Sequence, residues 1–132
     1  MEIHFKIIGL TLISLALIHT IFPKYFNWNE DLKSLSLINR QMMKVHTFFI
    51  ALVVFLMGLL CLTSSQELTE TALGRKISLG IGIFWLLRLF IQLFGYSSAL
   101  WRGKLFETTV HIVFTLLWTY MSAVFLWAAA YK

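Results

Sequence analysis

Runs without a charged residue divide the chain. Ile7 to Pro23 lies between Lys6 and Lys24, Val45 to Gln66 between Lys44 and Glu67, and Thr108 to Tyr131 between Glu107 and Lys132. A fourth run, Ile77 to Trp101, is broken once, by Arg88. Each run is apolar on almost every side, the pattern of a helix in lipid, where the backbone must satisfy its own hydrogen bonds. A stretch of about 20 such residues crosses a hydrocarbon core of about 30 Å. The pattern predicts spans over about 5–23, 44–65, 77–98 and 107–130. The expected fold is all-α: a polytopic membrane protein forming an antiparallel, up-down four-helix transmembrane bundle, with residues 1–132 as one domain.

The connections are short. Residues 24–44 include Asn27-Trp28-Asn29-Glu30-Asp31, followed by Leu32, Leu35 and Ile38 at helical spacing. This reads as an interfacial turn or helix with Asn29 as its N-cap and Trp28 at headgroup level. Ser36 is placed to cap the second long helix. Residues 64–76 read as a polar turn, and residues 97–104 join the last two spans, with Trp101 again at an interface. No internal repeat or low-complexity segment occurs. Bulky residues after His19, in place of a small-residue cleavage pattern, argue that the first run stays as a helix and is not removed as a signal peptide.

Composition sharpens the class. The chain has 132 residues, 59% hydrophobic and 13% charged, against about 25% charged in soluble domains. A disordered chain, a water-soluble globule and a multidomain enzyme are all excluded. The net charge of +5 is spread along the chain, which argues against nucleic-acid binding. The expected partners are the lipid bilayer and a second copy of the chain or a larger membrane complex. Cys61 is the single cysteine and reads as a packing residue. Loops 24–44 and 98–107 carry Lys24, Lys33, Arg40, Lys44, Arg102 and Lys104, whereas the opposite side carries Lys6, Arg75, Lys76 and Lys132. That excess places loops 24–44 and 98–107 in the cytoplasm and the protein in the cytoplasmic (plasma) membrane. Gly74, Ser78 and Gly82 recur every four residues, a spacing that lets helix backbones approach closely, here read as packing inside the bundle.

Candidate chemistry appears when antiparallel spans are aligned. His19 lies near the end of the first span, His46 just inside the second and His111 one turn into the fourth. Gln92 and Arg88 lie one turn and more into the third from its end. Glu107 and His111 are four residues apart on one helix side, and Arg88, Gln92 and Tyr96 form a stripe on another. Ionisable residues within spans are costly and mark candidate sites. Arg88 is the strongest of them, because its charge is permanent and needs Glu107, a bound anion, or carbonyls and water.

Four chemistries fit. His19, His46 and His111 could ligate a transition metal such as zinc, iron or copper. His19 and His111 could ligate haem b, with Arg88 and Gln92 at a propionate. Glu107 and histidine could act as base and acid, with Arg88 holding a lipid-soluble substrate. The cluster could instead be structural, or recognise an anionic headgroup, in a non-enzymatic accessory or lipid-interacting subunit. The preferred expectation is metal or haem binding, with Glu107 and Arg88 as the catalytic pair, His19, His111 and Gln92 holding the cofactor, and His19, His46 and His111 holding the metal. No H-E-x-x-H, C-x-x-C or glycine-rich nucleotide motif is present.

Overall fold

The computed structural model describes residues 1–131. The order is α1 (Glu2–His19), α2 (Phe22–Tyr25), α3 (Trp28–Asp31), α4 (Leu37–Thr63), α5 (Ser65–Glu70), α6 (Ala72–Phe94) and α7 (Leu105–Ala130), with short 3-10 turns at Leu32–Ser34 and Ser98–Leu100. No strand forms among the described residues. Helices α1, α4, α6 and α7 are long and apolar enough to cross a membrane. At 1.5 Å per residue even α1 extends about 27 Å, close to a hydrocarbon core.

Large apolar side chains point away from the protein, among them Leu105 at 86% exposure and Phe94 at 71%. Exposed apolar surface on this scale is what lipid contact requires and what water would penalise. Hydroxyls in the spans return to their own helices. Ser14 donates to the Leu10 carbonyl, Thr47 to Met43, Thr63 to Leu59, Thr119 to Thr115 and Ser122 to Trp118, all at 2.6–2.9 Å. No hydroxyl in that set is left to face hydrocarbon without an acceptor.

The chain divides into two compact units, residues 2–65 and residues 66–131. In the first, α1 packs on α4. Gly9 meets Gly58 and Leu62, while Gly58 meets Gly9 and Ile13, so the two helices run in opposite directions. The approach is close. A Cβ on Gly58 would stand 2.8 Å from the Gly9 carbonyl oxygen, and one on Gly9 would stand 2.8 Å from that of Gly58. Phe5, Ile8, Leu12 and Cys61 are fully buried in this unit, so the cysteine is the packing residue its setting suggested.

In the second unit α6 packs on α7, again in opposite directions, with Gly82 against Leu126 and Gln92 against His111. The small-residue stripe is used internally. Ser78, fully buried, donates to the Leu68 carbonyl at 3.0 Å, and a Cβ on Gly74 would collide with the Glu67 carbonyl. Helix α5 thereby folds back on the first turns of α6.

Several boundaries differ from the expected ones for one reason: a charge marks where a helix leaves lipid, not where it ends. Helix α4 begins at Leu37 and carries Arg40 and Lys44 within its first two turns. Helix α6 begins at Ala72 and includes Arg75 and Lys76. Residues 64–76, expected as a turn, instead hold α5, and Thr71 caps α6 by accepting from the Gly74 N–H at 2.8 Å. The cap position of α3 falls on Asn27, not Asn29. Asn27 takes a left-handed conformation (φ 54°), which asparagine tolerates better than most residues. Ser36 occupies the cap position of α4 without a side-chain hydrogen bond. Lys132, the last charge counted in the loop comparison, lies outside the described residues.

Candidate functional site

The second unit contains a connected polar and aromatic cluster between α6 and α7. Arg88 and Gln92 lie four residues apart on α6, and Tyr96 follows four residues later, just beyond the end of that helix. On α7, His111 and Trp118 are seven residues apart and share a face. Gln92, 8% exposed, joins the two. Its amide oxygen accepts from Arg88 Nη1 at 3.3 Å and from Trp118 Nε1 at 3.4 Å. Guanidinium and indole nitrogens can only donate, so those two contacts fix the amide oxygen on their side. The amide nitrogen then faces His111 and donates to Nδ1 at 2.8 Å. An imidazole that accepts at Nδ1 is the neutral tautomer with its proton on Nε2.

Aromatic rings enclose this network. Trp101, from the α6–α7 connection, stacks on His111 with ring centroids 3.9 Å apart and planes 9° from parallel. The connection is held in place by Thr108, which donates to the Trp101 carbonyl at 2.6 Å. Gly103 supplies the positive φ of 73° its turn needs. Trp118 stacks on Trp85 at 4.9 Å and on Phe114 at 5.4 Å. The Arg88 guanidinium lies 5.2 Å from the Trp118 ring and 5.6 Å from that of Tyr96, within cation–π range. Its Nη2 donates to the Tyr96 hydroxyl at 3.4 Å.

Arg88 thus receives neutral partners. The ion pairs formed among the described residues are Lys6–Glu2 and Lys33–Glu30, and neither involves Glu107. Glu107 is exposed in the first turn of α7. Its four-residue spacing from His111 places it on the same helix side without a hydrogen bond to the imidazole. Trp118 and Trp101 were not singled out beside His111 from sequence. Trp118 was legible as the residue two turns beyond His111, whereas the Trp101 stacking comes from a loop conformation that spacing does not encode.

His19 and His46 belong to the first unit. His19 Nδ1 donates to the Leu15 carbonyl at 2.7 Å and its ring lies 4.7 Å from that of Phe22. That bond places a proton on Nδ1, so the neutral ring has its lone pair at Nε2, the reverse of His111. His19 lines a cavity of about 340 Å³ at the α1–α4 turn, together with Trp28, Asn29, Lys44, Thr47 and Phe48. His46 is exposed on α4 and is not among the residues lining that cavity. Within neither unit do three or more His, Cys, Asp or Glu side chains among the described residues form a group that could hold a metal ion.

Four apolar helices of spanning length define the class, a small multi-pass membrane protein. Compared with known proteins, the chain matches no family model, no curated protein and no solved structure.

Proposed function

We propose that this is a lipid-interacting membrane protein whose α6–α7 hairpin binds the acidic group of an anionic amphiphile at Arg88. The observation that carries this reading is a permanent cation, six residues from the end of an apolar helix, with donors to neutral partners and no ion pair to a carboxylate among the described residues. A guanidinium carries five N–H donors in a fork that matches carboxylate and phosphate. Two are engaged at the long distances of 3.3 and 3.4 Å, leaving capacity for a bidentate anion. Tyr96, Trp118 and Gln92 orient the fork, and Gln92 ties that orientation to α7 through His111. In this reading His111 positions the network and performs no proton transfer. On the same reading the protein lies in the cytoplasmic membrane, with loops 24–44 and 98–107 facing the cytoplasm. Self-association or a larger membrane complex is compatible with it.

The metal or haem reading keeps one supporting observation, the open Nε2 of His19. His111, the other ligand it needs, holds a proton at Nε2 while Gln92 donates to Nδ1, and would have to change tautomer to ligate. An absorption spectrum with metal analysis of purified protein tests it directly. A Soret band or stoichiometric metal lost in His111→Ala would replace the lipid reading.

The lipid reading is tested by tryptophan quenching with brominated lipids in vesicles. Brominated phosphatidic acid should quench more than brominated phosphatidylcholine. Arg88→Gln should abolish the difference attributable to Trp85 and Trp118, and Arg88→Lys should restore only part, because an ammonium cannot make the paired contact. Equal quenching by both lipids in the unaltered protein overturns the proposal.

A further inference from the structure

The cavity in the first unit is independent of the Arg88 cluster and has its own polar complement. As the neutral imidazole, His19 offers an Nε2 lone pair, because its single N–H is the one committed to the Leu15 carbonyl at 2.7 Å. Lys44 offers an ammonium that makes no ion pair among the described residues. Asn29 offers an amide that can donate and accept. Thr47 has already given its proton to the Met43 carbonyl, which leaves its oxygen as an acceptor. Trp28, 8% exposed, and Phe48 supply apolar wall. A volume of about 340 Å³ lies at the lower end of ligand pockets, which range over roughly 300–1,000 Å³ and are mostly apolar with a few placed polar groups.

Those groups constrain the ligand from both directions. Lys44 needs an anion, whereas His19 Nε2 and the Thr47 oxygen need a proton donor. A bare phosphate diester satisfies only the first, and a neutral polyol only the second. The position adds a third constraint, since the cavity lies where α1 ends at His19 and α4 begins, at the edge of the apolar segments. Lys24, Lys33, Arg40 and Lys44 outnumber Glu30 and Asp31 there. Glu30 is already paired with Lys33 at 2.8 Å. One turn before Lys44 on α4, Arg40 has its Nε closed off from solvent without an acceptor, a second donor in need of an anion nearby.

We infer that this cavity binds a phosphodiester bearing free hydroxyls, of the glycerophosphoglycerol type, with the phosphate at Lys44 and a hydroxyl donating to His19 Nε2. The chemistry is shared by a phosphatidylglycerol headgroup and by free glycerophosphoglycerol.

The full-length protein in detergent, with chain-matched lipids added in competition and read by native mass spectrometry, tests it. Phosphatidylglycerol should bind about tenfold more tightly than phosphatidylcholine, and several-fold more tightly than phosphatidic acid, which has the charge but no headgroup hydroxyl. Lys44→Gln, a change at an exposed residue, should remove most of the preference over phosphatidylcholine. His19→Phe keeps a ring against Phe22 and should erase the preference over phosphatidic acid while leaving phosphatidic acid affinity unchanged. Both preferences should survive Arg88→Gln, which separates this site from the one at Arg88. Displacement of phosphatidylglycerol by millimolar glycerophosphoglycerol would assign the site to the free diester; no displacement assigns it to the lipid. Equal binding of the three lipids, or preferences unchanged in Lys44→Gln, overturns the inference. If His19→Phe fails to fold, the Lys44→Gln result decides alone.

Discussion

Gln92→Leu isolates the junction of the α6–α7 hairpin. The substitution keeps approximate volume and removes every polar contact of the amide. Two of those contacts cross between helices: the 2.8 Å bond to His111 Nδ1 and the 3.4 Å bond from Trp118 Nε1. Hydrogen bonds between membrane helices average about 0.6 kcal/mol and reach about 1.7. The short His111 bond belongs near the upper value and the long Trp118 bond near the mean, so together they contribute roughly 2 kcal/mol. The Arg88 bond, at 3.3 Å within one helix, adds little, because a half-buried guanidinium can move outward along its stem. Trp118, 6% exposed, has no such escape, which keeps the figure from falling. Leucine brings no offsetting gain, since lipid tails are as apolar as leucine itself. The expected loss of about 2 kcal/mol is roughly thirtyfold in the folding equilibrium. Reversible unfolding in mixed micelles, followed by tryptophan fluorescence, measures it. A change below about 0.5 kcal/mol would refute the reasoning, because it would mean that the bonds Gln92 makes have equivalents in the unfolded, lipid-embedded chain.

Gln92→Glu provides the contrasting case: a carboxylate four residues from Arg88 neutralises it locally and accepts from His111 once the imidazole proton moves to Nδ1, so stability should fall less than in Gln92→Leu while preference for anionic lipid in the quenching assay disappears. Gly58→Val should lower stability by about 1–3 kcal/mol in the same unfolding assay, as overpacked cores do, because its side chain must enter the space of the Gly9 carbonyl. Gly80→Ala should be neutral or gain up to about 1 kcal/mol, since nothing lies within 4 Å of the added carbon and alanine is the better helix former. Nitrogen NMR of ring-labelled protein should find His19 protonated at Nδ1 and His111 at Nε2; the same tautomer at both would contradict the bond directions to Leu15 and Gln92.

The long helices were legible because lipid imposes an all-round apolar pattern that composition and charge-free runs report directly. Their ends were less so. Lys44 and Lys76 border the charge-free runs, and Arg40 and Arg75 fall in the connections by that pattern, yet all four lie on helix, because a long cationic side chain can carry its charge to the interface while its backbone stays helical. Within the candidate site, the Arg88–Gln92–Tyr96 stripe follows from four-residue spacing and was visible. The pairing of Gln92 with His111 required knowing how α6 and α7 are set against each other, which periodicity within one helix does not contain. Gly9 and Gly58 illustrate the same gap. Single glycines without a repeat, they form a close backbone approach between α1 and α4, whereas the conspicuous Gly74-Ser78-Gly82 stripe is taken up by α5 and α7 within its own hairpin.

The two half-buried histidine environments show why residue type and depth are a weak guide to chemistry here. His19 and His111 each lie within about two turns of a helix end, and each makes one Nδ1 hydrogen bond. At His19 the partner is a carbonyl, which can only accept, so the ring presents a lone pair at Nε2. At His111 the partner is an amide N–H, forced to donate because Arg88 and Trp118 already occupy the amide oxygen. That ring therefore presents a proton at Nε2. A shared metal needs lone pairs from both, and the sequence pattern treats the two as equivalent. The hydrogen bonds do not. They make His19 a base or acceptor facing a cavity with Lys44, and His111 a strut between two helices that holds Gln92, and through it Arg88, in place. An anion at Arg88 is compatible with that arrangement as it stands, whereas ligation by His111 requires breaking its 2.8 Å bond to Gln92.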